Sequence, residues 1–175
     1  VVVAAGCATV EPRVVRVEQP ERRSVRLGLE AAAADPHDDL PPPIREAAAL
    51  RIDGDRDTAV TALQEWLLVA TEGPHAGMAC SLLGLLHFEL VQYAQADDVL
   101  SRCKAPVTLQ DMTEWIHGEV LRGLGRPDAA RGHFERVANM RHSPLAPAAG
   151  FRAADALYEG GHYAEALERY IDRLD

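Results

Sequence analysis

The chain has 175 residues, of which 47% are hydrophobic and only 5% aromatic, and its formal net charge is −9. This length suffices for one ordinary domain with a sizeable core. Alanine and leucine supply most of the apolar residues, so the composition favours close-packed helices over sheets. Net negative charge opposes binding to phosphate backbones, and we therefore expect no nucleic-acid partner. No stretch approaches the roughly 20 consecutive apolar residues that span a bilayer.

Residues 1–7 read Val-Val-Val-Ala-Ala-Gly-Cys. An apolar run that ends in Ala-Gly before Cys7 resembles the last part of a bacterial lipoprotein signal with its lipobox. In that family the cysteine becomes the first mature residue and is acylated, and several acyl chains give durable anchoring. The resemblance implies lipidation at Cys7, membrane contact only through this anchor, and a place in the bacterial cell envelope, at the periplasmic face of the outer membrane or the cell surface. The alternative is an ordinary apolar first strand or coil.

Residues 8–39 differ in pattern from residues 40–175. Residues 14–18 and 24–27 alternate like short strands, but Pro12, Pro20 and an alanine run before Pro36 interrupt them. A proline-rich segment, 35–43, then leads into the helical part of the chain. We interpret 8–39 as an extended linker or arm, compatible with holding a domain away from a membrane.

Four segments of 40–175 share one plan, in which an apolar helix and a short turn precede a second helix with alanine in its first half. The marking alanines, Ala59, Ala96, Ala130 and Ala166, are 37, 34 and 36 residues apart. Small residues stand twelve residues before them and large apolar residues four after them: Ala47, Gly84, Gly118 and Ala154, then Leu63, Leu100, Phe134 and Tyr170. Two helices approach closely where small residues meet, and a bulky neighbour fills the space beside the crossing.

This pattern resembles the tetratricopeptide (TPR) repeat, whose hairpins recur every 34 residues. The resemblance implies an all-α fold, a TPR-like superhelix of about four helical hairpins near 40–73, 77–106, 107–143 and 144–175, preceded by the extended arm. Such arrays need a cap over the apolar face of the last repeat. We see none after the eighth helix, so we expect that the chain continues or that a partner subunit covers this face. A homo-oligomer through the C-terminal helix is one such arrangement.

We find no catalytic, cofactor or metal motif. The histidines are scattered over the hairpins without His-Glu-x-x-His spacing, and His133 reads as ordinary alternation of surface and core. Gly-x-Ser-x-Gly, phosphate-binding glycine loops and Cys-x-x-Cys are missing as well. We therefore expect a protein that is not an enzyme and that uses no cofactor and no metal.

Cys80 and Cys103 fall in the two helices of the second hairpin, near the same end. An exported protein can join them as a disulfide, provided that their Cα atoms come within about 7 Å. Packed helix axes lie roughly 8–10 Å apart, so local geometry decides. The alternative is two small buried apolar side chains.

In the TPR family the first helices of successive hairpins line a concave groove that commonly binds peptides. Carried over by register, this groove would combine large apolar anchors with an acidic wall. Its predicted members are Met78, Leu85, Phe88, Glu89, Met112, Trp115, Glu119, Arg122, Phe151, Asp155, Tyr158 and Glu159, with Ile44, Ala48, Arg51 and Ser81 at equivalent positions. The resemblance implies a protein or peptide partner with apolar and basic residues. For each aromatic residue the alternative is packing between helices.

Three functions are compatible with this pattern, in order of preference. The first is a non-enzymatic protein–protein interaction scaffold, resembling TPR lipoproteins that help to assemble outer-membrane machines. The second is a self-assembling structural subunit that builds a ring or filament through uncapped ends. The third is a helical accessory region of a longer enzyme or regulator.

Overall fold

The computed structural model describes residues 40–173, and this part of the chain is helical apart from its turns. The predicted signal remnant at 1–7 and the predicted arm at 8–39 lie outside the described residues. The helices are α1 (Pro42–Asp53), α2 (Arg56–Leu67), α3 (Pro74–Glu89), α4 (Tyr93–Arg102), α5 (Gln110–Gly123), α6 (Pro127–Ala138), α7 (Ala146–Glu159) and α8 (Tyr163–Ile171), with a short 3-10 turn at Val107–Leu109 before α5. The all-α prediction is confirmed for residues 40–173.

Each helix packs against the next one along the chain, which gives four consecutive hairpins. The first helix of the second hairpin, α3, also contacts α1 and α5. The first helices of the first three hairpins, α1, α3 and α5, therefore lie side by side. None of the helices within 40–173 is both long enough and apolar enough to cross a bilayer.

The small and large residues of the repeat meet as the sequence predicts. The four marking alanines are all buried. A Cβ atom added to Gly118 would lie only 2.7 Å from two ring atoms of Phe134, and one added to Gly84 would overlap the side chain of Leu100. Real Cβ atoms do not approach so closely, so each glycine is the space into which its bulky partner packs.

The fourth hairpin differs from the others in the contact between its two helices. Its large residue, Tyr170, is only half-buried, and its hydroxyl donates a hydrogen bond of 2.6 Å to Asp155 Oδ1. This bond, together with burial, raises the pKa of Tyr170 to about 12. A polar contact therefore replaces part of the apolar packing that closes the second and third hairpins.

The turn inside each hairpin places one residue in the left-handed region, five residues before the marking alanine. Gly54, Gly125 and Gly161 take this place with φ of 91°, 68° and 84°. In the second hairpin Val91 takes it with φ of 60°. Glycine adopts this conformation without steric cost, whereas a β-branched residue does so only under strain. The hairpin geometry is thus common to all four repeats although one sequence lacks the favoured residue.

Candidate protein-interaction groove

A cavity of about 550 Å³ opens between α1, α3 and α5. Apolar side chains from all three helices form it, and we call this surface the apolar groove. Its apolar lining is Leu40, Ile44, Ala48, Ala49, Ile52, Met78, Leu82, Leu85, Leu109, Met112 and Ile116. Arg45, Ser81 and Thr113 complete the lining.

The hydroxyl groups in the apolar groove are already hydrogen-bonded. Ser81 Oγ donates to the carbonyl oxygen of Gly77 at 2.8 Å, and Thr113 Oγ1 lies 2.9 Å from Ser81 Oγ and 2.8 Å from the carbonyl oxygen of Leu109. Both side chains are buried. An occupant therefore meets these hydroxyls as satisfied groups, and the groove offers it mainly apolar contact.

Six of the residues predicted from the repeat register lie in the apolar groove, namely Ile44, Ala48, Met78, Ser81, Leu85 and Met112. Met112 is the most accessible of them, with 47% of its surface exposed. Sequence reasoning missed Ile52, Leu82 and Ile116. Leu82 and Ile116 hold the same place in successive repeats, two residues before Gly84 and Gly118, so the register contained a signal that could have found them.

Phe88 and Trp115 pack between helices instead of presenting free anchors. The Phe88 ring lies 6.2 Å from the Tyr93 ring, and the Trp115 ring meets the buried Phe134 edge-on at 5.6 Å. The guanidinium carbon of Arg152 lies 6.0 Å from the centre of the Trp115 ring. For these two aromatic residues the packing alternative is the one that the structure supports.

The other two predicted aromatic residues are exposed but do not line the apolar groove. Phe151 lies on α7, and Tyr158 near the end of α7 packs its ring 5.1 Å from that of Tyr163 on α8. Tyr158 and Tyr163 line a separate hollow of about 430 Å³ with Ala166, Leu167 and Tyr170. The predicted groove is thus two surfaces, an apolar one at α1, α3 and α5 and an aromatic one at α7 and α8.

The carboxylates of the predicted acidic wall have arginine partners. Glu89 accepts hydrogen bonds from Arg51 Nε at 3.0 Å and from Arg56 Nε at 2.9 Å. Glu159 accepts a hydrogen bond from Arg122 Nε at 2.9 Å. Both contacts join residues about one repeat apart, 38 positions for Arg51 and Glu89 and 37 for Arg122 and Glu159. They are the same inter-repeat ion pair used twice.

The remaining two carboxylates are also paired. Arg152 Nε lies 2.9 Å from Glu119 Oε1, and Arg152 Nη1 lies 3.2 Å from Asp155 Oδ2. Arg122 Nη1 reaches Glu119 Oε2 at 3.2 Å. We call these pairs, with those of Glu89 and Glu159, the arginine–glutamate ladder. Its basic and acidic members offset one another, so it does not specifically recruit a basic partner.

Two carboxylates of the ladder, Glu89 and Glu159, have lowered pKa values. The hydrogen bond from Arg122 holds the pKa of Glu159 below its ordinary value, and the same bond raises the pKa of Arg122. Burial acts to raise the pKa of Glu89, but the hydrogen bonds and charges of Arg51 and Arg56 outweigh it and lower that pKa. The arginine partners therefore favour the charged forms of Glu89 and Glu159.

Cys80 and Cys103 form a disulfide that joins α3 to the residue following α4, with their Cα atoms 5.9 Å apart. This separation is within the range that disulfides use. The predicted lipidation site, Cys7, lies outside the described residues. Between residues 40 and 173, no group of three or more histidine, cysteine, aspartate or glutamate side chains is arranged to hold a metal ion.

Four stacked helical hairpins define the TPR-like α-solenoid class, and the chain has this fold. Crystal structures of MamA and of a MamA mutant resemble it with TM-scores of 0.65 and 0.64 at 20% and 21% identity, covering 75% of this chain and 74% and 73% of theirs. A putative kinesin light chain from Podosopora anserina with nearly identical TPR-like repeats has a TM-score of 0.62 at 16% identity, over 75% of this chain and 71% of that one. No protein-family model and no curated protein sequence matches the chain.

Proposed function

We propose that this protein is a non-enzymatic protein–protein interaction scaffold whose apolar groove holds an amphipathic helix of a partner. The observation that carries the proposal is a cavity of about 550 Å³ with an almost wholly apolar lining from three different helices. Exposed apolar surface of this extent gains free energy when a partner covers it. A helix with apolar residues on one face is the common occupant of such grooves.

The charges of the stack favour an occupant whose buried face is uncharged. The four predicted acidic residues of the concave side are engaged by arginines, so they do not call for basic residues in the partner. Inserting a charged side chain among the apolar residues of the lining would cost the solvation of that charge. We therefore infer a partner helix with leucine-like residues at i, i+3 or i+4, and i+7.

Synthetic peptides can test this occupant directly. A fluorescent amphipathic helix with leucine at those positions should bind the full chain with saturation in an anisotropy titration, whereas a scrambled peptide of the same composition should not. Met112→Glu should weaken binding at least tenfold, because it places a carboxylate within the groove. The matched control is Leu68→Glu, since Leu68 is 80% exposed and lies outside the groove. Equal affinity for both peptides, or equal losses in both variants, would refute the proposal.

We further propose that Cys7 is acylated and anchors this scaffold in a bacterial envelope. The support is the Ala5-Gly6-Cys7 sequence, whose small residues before cysteine are typical of lipoprotein processing sites. Mass analysis of the natively expressed protein should show an acylated amino-terminal cysteine, and Cys7→Ser should move the protein from the membrane fraction to the soluble fraction. A mature form that retains residues 1–6 without acylation would contradict the anchor and leave the groove proposal untouched.

Self-association is a second candidate function, and one observation favours it. On α8, Tyr163, Leu167 and Ile171 are exposed at a spacing of four residues and form one apolar stripe. On α6 the places equivalent to Leu167 and Ile171 hold Arg131 and Glu135, which lie 3.8 Å from charged partners on α8. Leu167 and Ile171 cannot form these ion pairs with a further hairpin of the same kind, so we infer that a second copy of the chain covers the stripe.

Light scattering as a function of concentration tests the second candidate. The full chain should shift from monomer toward dimer as its concentration rises, and Leu167→Glu should hold it as a monomer. Leu68→Glu again serves as the control. A monomer at every concentration would exclude self-association through α8.

A further inference from the structure

The exposed apolar stripe of α8 has the residue spacing that suits the apolar groove. The stripe consists of Tyr163, Leu167 and Ile171, whose exposed fractions are 62%, 60% and 51%. Apolar residues at positions i, i+4 and i+8 share one face of a helix. This face is amphipathic, because Glu165, between Tyr163 and Leu167 in sequence, lies outside the stripe and reaches toward Arg131 on α6. The chain therefore carries an apolar helical face of the kind that fits its own groove.

α8 presents this stripe while it remains packed on α7. Ala166 is the buried residue of α8, and the hydroxyl of Tyr170 donates its hydrogen bond to Asp155 on α7. Leu167 and Ile171 keep more than half of their surface exposed in this arrangement. Another molecule can therefore cover these two side chains without displacing α8 from its own hairpin.

The groove has its own exposed apolar side chains on two of its three helices. Ile52 on α1 is 80% exposed, Met112 on α5 is 47% exposed, and both line the cavity. Seating the stripe of α8 between α1 and α5 would remove apolar surface from water on both molecules. Each such side chain that becomes fully buried contributes about 1.5–3 kcal/mol, so the two surfaces together can drive association.

The charges beside the two surfaces are complementary. Arg45 contributes a positive charge to the lining of the groove. On α8 the residues that directly follow Leu167 and Ile171 are Glu168 and Asp172, and both are exposed. Successive helical residues are turned by about 100°, so these carboxylates flank one side of the stripe. They attract the basic side of the groove, whereas a symmetric antiparallel pair of α8 helices would bring two acidic flanks to the same side.

We propose that the apolar groove of one molecule receives α8 of a second copy, with Leu167 and Ile171 seated between α1 and α5. The proposal rests on the proposed function of the groove, for which it names the occupant. The contact is heterologous because its two surfaces differ, so a bound pair retains one open groove and one open stripe. Further copies add head to tail, and the rotation between neighbours decides whether a ring or an open filament results.

Mixing two variants of the full chain tests this contact. Met112→Glu places a carboxylate in the groove and leaves the stripe intact, whereas Leu167→Glu places one in the stripe and leaves the groove intact. Each variant alone should be a monomer in light scattering, at a concentration at which the unmodified chain associates. An equimolar mixture should double in mass and stop there, because the one intact groove binds the one intact stripe.

The outcomes separate this contact from its alternatives. A mixture that stays monomeric overturns the proposal, and so does a Met112→Glu variant that associates as strongly as the unmodified chain, because two stripes would then pair with each other. Leu68→Glu is the matched control and should associate like the unmodified chain, since Leu68 is exposed outside the groove. If either glutamate variant loses its helical circular dichroism, Ile52→Glu replaces the first and Ile171→Glu the second.

Failure of this contact is distinguishable from failure of the groove as a binding site. If the unmodified chain binds the leucine peptide but the mixed variants stay monomeric, the groove function stands and only the α8 contact is overturned. If the contact exists, saturating leucine peptide should also return the associated chain to a monomer, because both occupants need the same groove. Association that persists with the groove filled by peptide would overturn the proposal.

Discussion

Gly118→Ala tests the packing rule on which the whole fold depends. In most helices this change stabilises the protein, because alanine is favoured over glycine by about 1 kcal/mol. Here the added Cβ would lie 2.7 Å from both Cε1 and Cζ of Phe134. That ring is fully buried, so it cannot move out into solvent without exposing apolar surface.

The expected magnitude is the balance of these two opposing effects. Overpacking of a well-filled core costs about 1–3 kcal/mol, and a rigid ring fully inside the core places this site in the upper part of that range. Subtracting about 1 kcal/mol of helix propensity leaves a net loss of about 1–2 kcal/mol in the free energy of unfolding. Shortening the ring with Phe134→Leu should recover part of the loss in the double variant, because the two residues are directly coupled.

Urea denaturation followed by circular dichroism measures each variant. Gly132→Ala on α6 is the matched control, since the nearest atom to its added Cβ is the flexible end of Arg136 at 3.7 Å. This control should be more stable than the unmodified chain by up to about 1 kcal/mol. If Gly118→Ala stabilises the protein as much as Gly132→Ala does, the small residues do not set the helix crossings and our reasoning fails.

Three further predictions concern the turn, the disulfide and the buried histidine. Val91→Gly should raise the free energy of unfolding by about 1 kcal/mol, because it relieves the backbone strain of a β-branched residue in the left-handed region, and Val91 is 66% exposed. If the turn is unstrained, urea denaturation would show no gain in stability. Replacing Cys80 and Cys103 by alanine should lower the free energy of unfolding by about 3 kcal/mol relative to the oxidised protein, since the bridge spans 23 positions. The difference should vanish when both proteins are compared under reducing conditions. Burial lowers the pKa of His117, so as the pH falls this histidine is protonated in the unfolded chain before it is protonated in the folded protein. The free energy of unfolding should therefore fall as the pH drops below about 6.5, and it should fall less steeply with pH in His117→Gln. An equal dependence on pH in both proteins would contradict a neutral buried ring.

The repeat register was sufficient to predict the architecture because it involves residues close in sequence. Gly118 and Phe134 lie in one hairpin, and their spacing alone fixes which faces meet. The same is true of Gly84 and Leu100. Local patterns of small and large residues repeat in every hairpin, so each copy supports the others.

The arginine partners of the predicted acidic residues could not be found by considering single repeats. Glu89 and Glu159 counted as an acidic wall when each hairpin was considered alone. Their partners, Arg51 and Arg122, stand at one common position of the preceding repeat, and only stacking brings them together. A comparison of charged residues between adjacent repeats would have revealed the pairs, because the contact recurs at almost the same separation.

The stacked pair of His117 and His133, whose ring centres are 4.1 Å apart, was missed for a related reason. In sequence, His133 looks like ordinary alternation of surface and core, and His117 is one of several histidines scattered over the hairpins. Their stacking depends on the angle between α5 and α6, which residue spacing does not specify. The carboxylate of Asp97 comes from a different hairpin, so no linear motif contains the cluster.

The junction between the second and third hairpins differs from the two that flank it. Phe88 occupies the place that Arg51 and Arg122 take in the neighbouring repeats, and Gly123 occupies the place of the glutamate, so that the Tyr93 ring lies where a Cβ of residue 123 would be. Dissolved ions screen the outer junctions but leave apolar contact at the central one intact. Rising ionic strength should therefore weaken the Arg51–Glu89 and Arg122–Glu159 pairs but not the Phe88–Tyr93 contact, while the buried apolar clusters at the outer junctions keep all four hairpins stacked.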